Sequence, residues 1–96
     1  MKFKLDEIIN CTGAKVLHQK DLTGEFEIST DTRKLEKGSI YLPLRGENYD
    51  GHNFIDKALE LGARGYFTQD KFKVNKNADF VLYVENSLVA YLKLAN

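Results

Sequence analysis

Two short stretches of this chain hold residues equipped to recognise a small polar ligand: Thr30-Asp31-Thr32-Arg33 and Glu47-Asn48-Tyr49. The first offers hydroxyls, a carboxylate and a guanidinium; the second offers a carboxylate, an amide and an aromatic ring. A pyrimidine base needs this kind of equipment. Uracil presents one N3–H donor and two carbonyl acceptors, which backbone groups or the Asn48 amide can match. Tyr49 can stack on the ring, while Arg33 or a threonine hydroxyl can reach ribose or phosphate. A plainer reading stands beside this one. Short polar residues satisfy backbone groups at a strand end, and a glycine-flanked loop over residues 46–51 simply joins a strand to a capped helix. Taken alone, these residues leave the ligand open.

Other chemistries find little support. None of the seven glycines begins a G-x-x-x-x-G-K-[ST] loop or a G-x-G-x-x-G turn, so no ATPase centre is expected. His18 and His52 lie far apart and Cys11 has no C-x-x-C partner, so no metal site is expected. His18 reads as part of a polar connection, Cys11 as a small core residue and His52 as a helix-start residue. No motif fixes a Ser-His-Asp or Cys-His nucleophilic centre. Lys71, Lys73 and Lys76 are interleaved with Asp70, Asp79, Asn75 and Asn77, which suits a solvated loop. Lys plus Arg and Asp plus Glu number 14 each, and this balance argues against a partner that is nucleic acid. One cysteine makes no internal disulfide. No apolar run approaches the roughly 20 residues of a membrane span, and "MKFKLDEIINC" carries acids where a signal peptide is apolar. The expected compartment is cytoplasmic. With 96 residues, one domain with a modest core is expected.

The elements that must position the two turns follow from periodicity. Leu5, Ile8 and Ile9 recur at helical spacing before Gly13, giving a short helix over residues 4–12. "EFEIST" alternates Phe26 and Ile28 with Glu25 and Glu27, as a half-buried strand does. "SIYLPL" is a continuous apolar run, suiting a strand covered on both faces, with Pro43 at an edge, a bulge or the strand's end. Phe54, Ile55, Ala58 and Leu59 share a helical face; Asp50, His52 or Asn53 caps it and Gly62 ends it. "GYFT" and "DFVLYV" are two further strands around a polar stretch over residues 70–79. After Asn86 a last helix carries Leu88, Tyr91, Leu92 and Ala95 on one face and shows no stop signal. Strand, helix and strand with short connections imply a right-handed parallel crossover and an α/β class. Both polar turns follow strands, so they are expected side by side at the carboxyl edge of the sheet, where α/β folds hold ligands.

The stretch "ISTDTRKLEKGSIYLPLRGENYDGHNFIDKALELGA" resembles the N-terminal domain of the Mur ligases of bacterial peptidoglycan synthesis. Their pattern runs strand, S/T-x-D-[ST]-R, a turn with "GD/S", an apolar strand ending "L-[KR]-G", then "DGH-x-F" and a helix ending "GA". It is matched by Asp31-Thr32-Arg33, Gly38-Ser39, Leu44-Arg45-Gly46, Asp50-Gly51-His52, Phe54 and Gly62-Ala63. "LDEIINCTGAKV" and "VENSLVAYLKLA" are also similar, so the resemblance spans essentially the whole chain. The opening helix and the STDTR form are nearest to the branch that adds D-alanyl-D-alanine to UDP-MurNAc-tripeptide. The branch adding the third residue is the alternative, and a free-standing binding or regulatory module is the alternative from another class.

The resemblance implies a small mixed, largely parallel sheet flanked by helices, with residues 1–96 as the UDP-binding N-terminal domain of a larger ligase. It implies uridine contacts on Thr30, Thr32, Glu47, Asn48 and Tyr49, with Asp31 and Arg33 shaping the turn. The partners it implies are the UDP-MurNAc-peptide precursor and the remaining ligase domains in cis. ATP and Mg²⁺ are implied for the full-length enzyme, which activates a carboxylate as an acyl phosphate. No catalytic residue, cofactor or metal is expected in this fragment, and the fragment alone is expected to be inactive.

Overall fold

The computed structural model describes residues 2–96. A two-residue strand, β1 (Phe3–Lys4), leads into α1 (Leu5–Thr12). Glu7 reaches back to accept the Lys4 N–H at 2.8 Å, satisfying one of the donors a helix start leaves free. Leu5 and Ile8 are buried, and Gly13, at φ 72°, ends the helix by donating its N–H to Ile9 O at 2.8 Å. There follow β2 (Lys15–Gln19), β3 (Glu25–Phe26), β4 (Ile28–Ser29), β5 (Ile40–Tyr41), α2 (Ile55–Glu60), β6 (Gly65–Thr68), β7 (Phe80–Tyr83) and α3 (Ser87–Ala95).

Five strands form one sheet in the order β2-β7-β6-β5-β4. β4, β5, β6 and β7 run parallel, and β2 closes one edge antiparallel to β7. β1 and β3 make a separate antiparallel ribbon. The expected mixed, largely parallel sheet flanked by helices is what the chain forms. Side chains alternate across it, as the strand pleat requires. Ile40, Leu42, Phe67, Phe80 and Leu82 pack on one face with Leu5 and Ile8 of α1 and Ala90 and Leu94 of α3. Tyr41, Tyr66 and Val81 pack on the other with Ala58 of α2. Phe80 meets Phe26 edge-on, with ring centroids 5.2 Å apart, and covers Gly65 so closely that a Cβ there would lie 2.3 Å from its ring.

Several expectations hold in detail. The "SIYLPL" run is buried on both faces, although only Ile40 and Tyr41 pair as strand, and Pro43 follows the strand's end. Gly62 ends α2 at φ 103°. Asp50 accepts the His52 N–H at 2.9 Å but caps the 3-10 turn Gly51–Phe54 rather than α2, whose N-cap residue, Phe54, makes no side-chain cap. Asn86 caps α3 by accepting the Val89 N–H at 3.1 Å.

Others are corrected. His18 lies in β2, half-buried, rather than in a polar connection. A register shift between Val16 and His18 leaves Val16, Leu17 and His18 all half-buried, so this edge strand lacks the alternation that marks strands in a sequence. "EFEIST" is not one strand: Glu25–Phe26 pairs with β1, and Ile28–Ser29 pairs with β5. Cys11 is exposed rather than in the core, and its Sγ–H donates to Lys93 O at 3.3 Å. Phe54 precedes α2 in a 3-10 turn (Gly51–Phe54) and is 41% exposed rather than packed in the core. In α3 the buried residues are Ser87, Ala90 and Leu94, whereas Leu88, Tyr91 and Leu92 are exposed. The small side chains at 87 and 90 let the helix lie close to the sheet and α1, and the bulkier residues turn outward.

Candidate functional site

Parallel strands lie about 4.8 Å apart. Because β4 pairs with β5 in the register Ile28↔Ile40 and Ser29↔Tyr41, the chain leaves both strands at the same edge of the sheet. Leu42 extends that pairing, donating its N–H to Ser29 O at 2.8 Å. The two polar turns therefore begin as neighbours.

The first turn is closed by its own short side chains. Ser29 Oγ donates to Asp31 O at 2.9 Å and accepts the Asp31 N–H at 3.3 Å. Asp31 Oδ1 accepts the backbone N–H of Arg33 at 2.9 Å and its Nε–H at 3.1 Å, and Oδ2 accepts from Nη2 at 2.9 Å. These side-chain and backbone hydrogen bonds from Arg33 hold the Asp31 carboxyl down to about 2. With its carboxylate engaged in this way, Asp31 sets up the 3-10 turn Thr32–Lys34.

The second turn is a hairpin over residues 44–51. Gly51 N–H donates to Leu44 O and Gly46 N–H to Tyr49 O, both at 2.7 Å, and Arg45 and Asp50 form an antiparallel bridge. Arg45 Nε–H donates to Asp50 Oδ2 at 3.1 Å. Gly51 is obligatory for space, since a Cβ there would meet the Leu44 backbone at 2.9 Å. Glu47, Asn48 and Tyr49 stand exposed at the tip, with Tyr49 stacked on Phe54 at 6.0 Å and 21°. The side chains of Thr30, Thr32, Glu47 and Asn48 make no hydrogen bond or ion pair within the described residues.

Tyr41 lies beneath both turns. Its phenol is fully buried and donates to Gly51 O at 2.8 Å. Burial raises its pKa, and Tyr49, Asp31 and Asp50 raise it further. Tyr49 also acts on the Arg33 guanidinium, after the larger effect of Asp31. Residues of the two turns thus share one electrostatic neighbourhood around Tyr41. They do not share one cavity. Thr30 and Asp31 line a cleft of about 540 Å³ with Glu27, Lys34, Glu36 and Ser39, and Glu47, Asn48 and Tyr49 are not on its walls.

A larger cleft of about 760 Å³ lies between the base of the hairpin, α2 and the segment after β6. Its walls include Arg45, Asp50, His52, Asp56, Thr68 and Lys73, and none of the seven residues singled out from the sequence. His52 does more there than start a helix. Its Nδ1 lies 2.8 Å from Asp50 Oδ1, and its Nε2 accepts the Gln69 N–H at 3.0 Å. Burial pushes Asp50 up, but the bonds from His52 and the charge of Arg45 leave it below the usual carboxylate range. Sequence reasoning missed Tyr41 and the second bond of His52; only the D-x-H spacing hinted at the first. Among the described residues no group of three or more His, Cys, Asp or Glu is placed to hold a metal. No helix among them is long and apolar enough to cross a membrane.

Residues 27–95 match the pattern of the Mur ligase family, catalytic domain. Over 68 residues the chain is 43% identical to the UDP-N-acetylmuramoyl-tripeptide–D-alanyl-D-alanine ligase of Synechocystis, covering 71% of this chain and 15% of that one. It is 33% identical over 69 residues to the UDP-N-acetylmuramoyl-L-alanyl-D-glutamate–2,6-diaminopimelate ligase of Fusobacterium nucleatum, covering 71% and 14%. The chain thus spans about one-seventh of the length of these curated relatives. In three dimensions, the UDP-N-acetylmuramoylalanyl-D-glutamyl-2,6-diaminopimelate–D-alanyl-D-alanyl ligase from Acinetobacter baumannii superposes on 98% of this chain and 21% of its own, with a TM-score of 0.86. At 22% identity that likeness speaks for the fold.

Proposed function

This chain belongs to the Mur ligase family, and on that premise we propose that it holds the uridine diphosphate end of a UDP-MurNAc-tripeptide. It does so for a ligase that adds D-alanyl-D-alanine in cell-wall synthesis, in the cytoplasm, with the remaining ligase domains in cis. The observation that carries this reading is the parallel pairing of β4 with β5, which starts both polar turns at one sheet edge. Thr30, Thr32, Glu47 and Asn48 keep their polar side chains unspent for a ligand, and Tyr49 exposes half its surface for stacking. Asp31 and Arg33 are spent on each other, so their part is to shape the turn. A relative that adds diaminopimelate keeps the third-residue ligases as the second reading.

The residues of this chain do not fit ATP or Mg²⁺. No glycine-rich phosphate loop occurs, and no carboxylate cluster among the described residues is placed for a cation. Activation of the carboxylate by ATP is therefore assigned to the rest of the ligase, and this chain is expected to release no phosphate from ATP. Its own work is binding and orientation.

A ligand of this size gains about 0.3 kcal/mol per heavy atom at best, so UDP is bounded near 10 μM. With one wall of the site supplied by this chain, about 0.1 to 1 mM is expected. Ligand-observed NMR should show saturation transfer to uridine protons and little to ADP. Asn48→Ala and Thr32→Val should each weaken UDP binding by roughly 5- to 150-fold, the cost of a lost hydrogen bond to a buried partner. No contact at millimolar UDP, or unchanged affinity in both variants, would overturn the assignment.

A further inference from the structure

We infer that His52 is a positioning residue that locks the hairpin over residues 44–51 against the end of β6 and, through it, the start of α3. The uridine role of that hairpin rests on the proposal above; the locking does not. Five contacts form a continuous chain. Arg45 Nε–H donates to Asp50 Oδ2 at 3.1 Å; the His52 backbone N–H donates to Asp50 Oδ1 at 2.9 Å and its ring Nδ1 to the same oxygen at 2.8 Å. The Gln69 N–H donates to His52 Nε2 at 3.0 Å, and the Ser87 N–H donates to Gln69 Oε1 at 2.8 Å.

This pattern sets the tautomer. Nε2 accepts from a backbone N–H, so in the neutral ring the proton sits on Nδ1 and points at Asp50. The side chain is 11% exposed, so water competes poorly for either bond. Asp50 is at once the closing residue of the hairpin bridge and the cap of the following 3-10 turn. One imidazole therefore joins the ligand-facing loop to a strand end 17 residues away. A cap alone would need neither ring nitrogen. Charging the ring would place a second donor opposite the Gln69 N–H and break that joint. The charged groups that face it across the cleft are Asp50 and Arg45 from the hairpin, Asp56 from α2, and Asp70, Lys73 and Lys76 from the segment after β6.

The test uses the 96-residue chain, first without ligand. Long-range ¹H–¹⁵N spectra of the His52 ring should show the Nδ1–H tautomer; an Nε2–H tautomer overturns the inference. His52→Phe keeps a ring but drops both bonds, and His52→Gln offers an acceptor again. In His52→Phe, amide exchange at Gln69 should quicken by about 3- to 10-fold, and relaxation should report looser Glu47, Asn48 and Tyr49. Ile40 and Leu42 should stay unchanged, and His52→Gln should recover most of the difference. UDP is then titrated, and affinity should fall with hairpin order and return in His52→Gln. Wild-type exchange and loop relaxation in His52→Phe would overturn the locking role. A chain that shows the locking but ignores UDP would instead overturn the uridine reading alone.

Discussion

Replacing Tyr41 by phenylalanine removes one oxygen from the fully buried ring beneath the two turns. Volume and packing against the α2 face of the sheet are preserved. What is lost is the hydrogen bond from the phenol to Gly51 O at 2.8 Å, and Gly51 is itself buried. A buried carbonyl left without its donor costs about 1 to 3 kcal/mol. For a domain of this size each kcal/mol moves the melting temperature by about 4 to 8 °C, so Tm should fall by roughly 4 to 24 °C. A second signature lies at high pH. Burial, then Tyr49, Asp31 and Asp50, hold the Tyr41 phenol above its ordinary value of 10.0. The unfolded chain therefore loses this proton first. Stability from the phenol is complete below pH 10 and is lost as pH rises from there toward the folded value. Tyr41→Phe lacks the group, so the gap between wild type and variant should narrow above pH 10. Melting curves by circular dichroism between pH 7 and 11 measure both effects. A Tm within about 2 °C of wild type, or a gap constant across that range, would refute the reasoning.

Gly65→Ala should destabilise by about 1 to 3 kcal/mol or more, because its Cβ would lie 2.3 Å from the Phe80 ring and 2.7 Å from the Phe80 carbonyl oxygen. An unchanged urea midpoint would show that Phe80 can give way. The Asp31 carboxyl should titrate at about 2 by ¹³C NMR, and Arg33→Gln should raise that midpoint toward 3.8. Since the folded value is the lower one, the carboxylate's contribution to stability is present above 3.8 and lost as pH falls through about 2. A midpoint indifferent to Arg33→Gln would contradict the closed geometry of the first turn.

The parallel half of the fold was legible because its signals are local. Gly62 and Asn86 mark helix ends, Pro43 marks a strand end, and continuous apolar runs mark strands buried on both faces. β2 was not, because its bulge and edge position erase the period of two. The outward face of α3 was misread for a related reason. Leu88, Val89, Tyr91, Leu92 and Leu94 circle the helix, so apolar spacing cannot choose a face, and the small Ser87 and Ala90 decide it. The two turns announced themselves as polar clusters, and strand pairing made them neighbours. The role of His52 stayed hidden because its partner is a backbone N–H, which no side-chain pattern reveals.

The antiparallel pairing of β2 with β7 and the contact of Cys11 with Lys93 bind the first twenty residues to the last seventeen. On the ribosome this imposes an order. β2 emerges early with Val16 and Leu17 uncovered, while Val81 and Leu82, its partners across the sheet edge, are still to be translated. At about 5 to 20 residues per second the wait lasts several seconds, far longer than hydrophobic collapse takes. During that interval an unpaired strand edge is open to chaperones and to neighbouring nascent chains. Slowing translation downstream of residue 26 should therefore lengthen the vulnerable period without altering the finished fold.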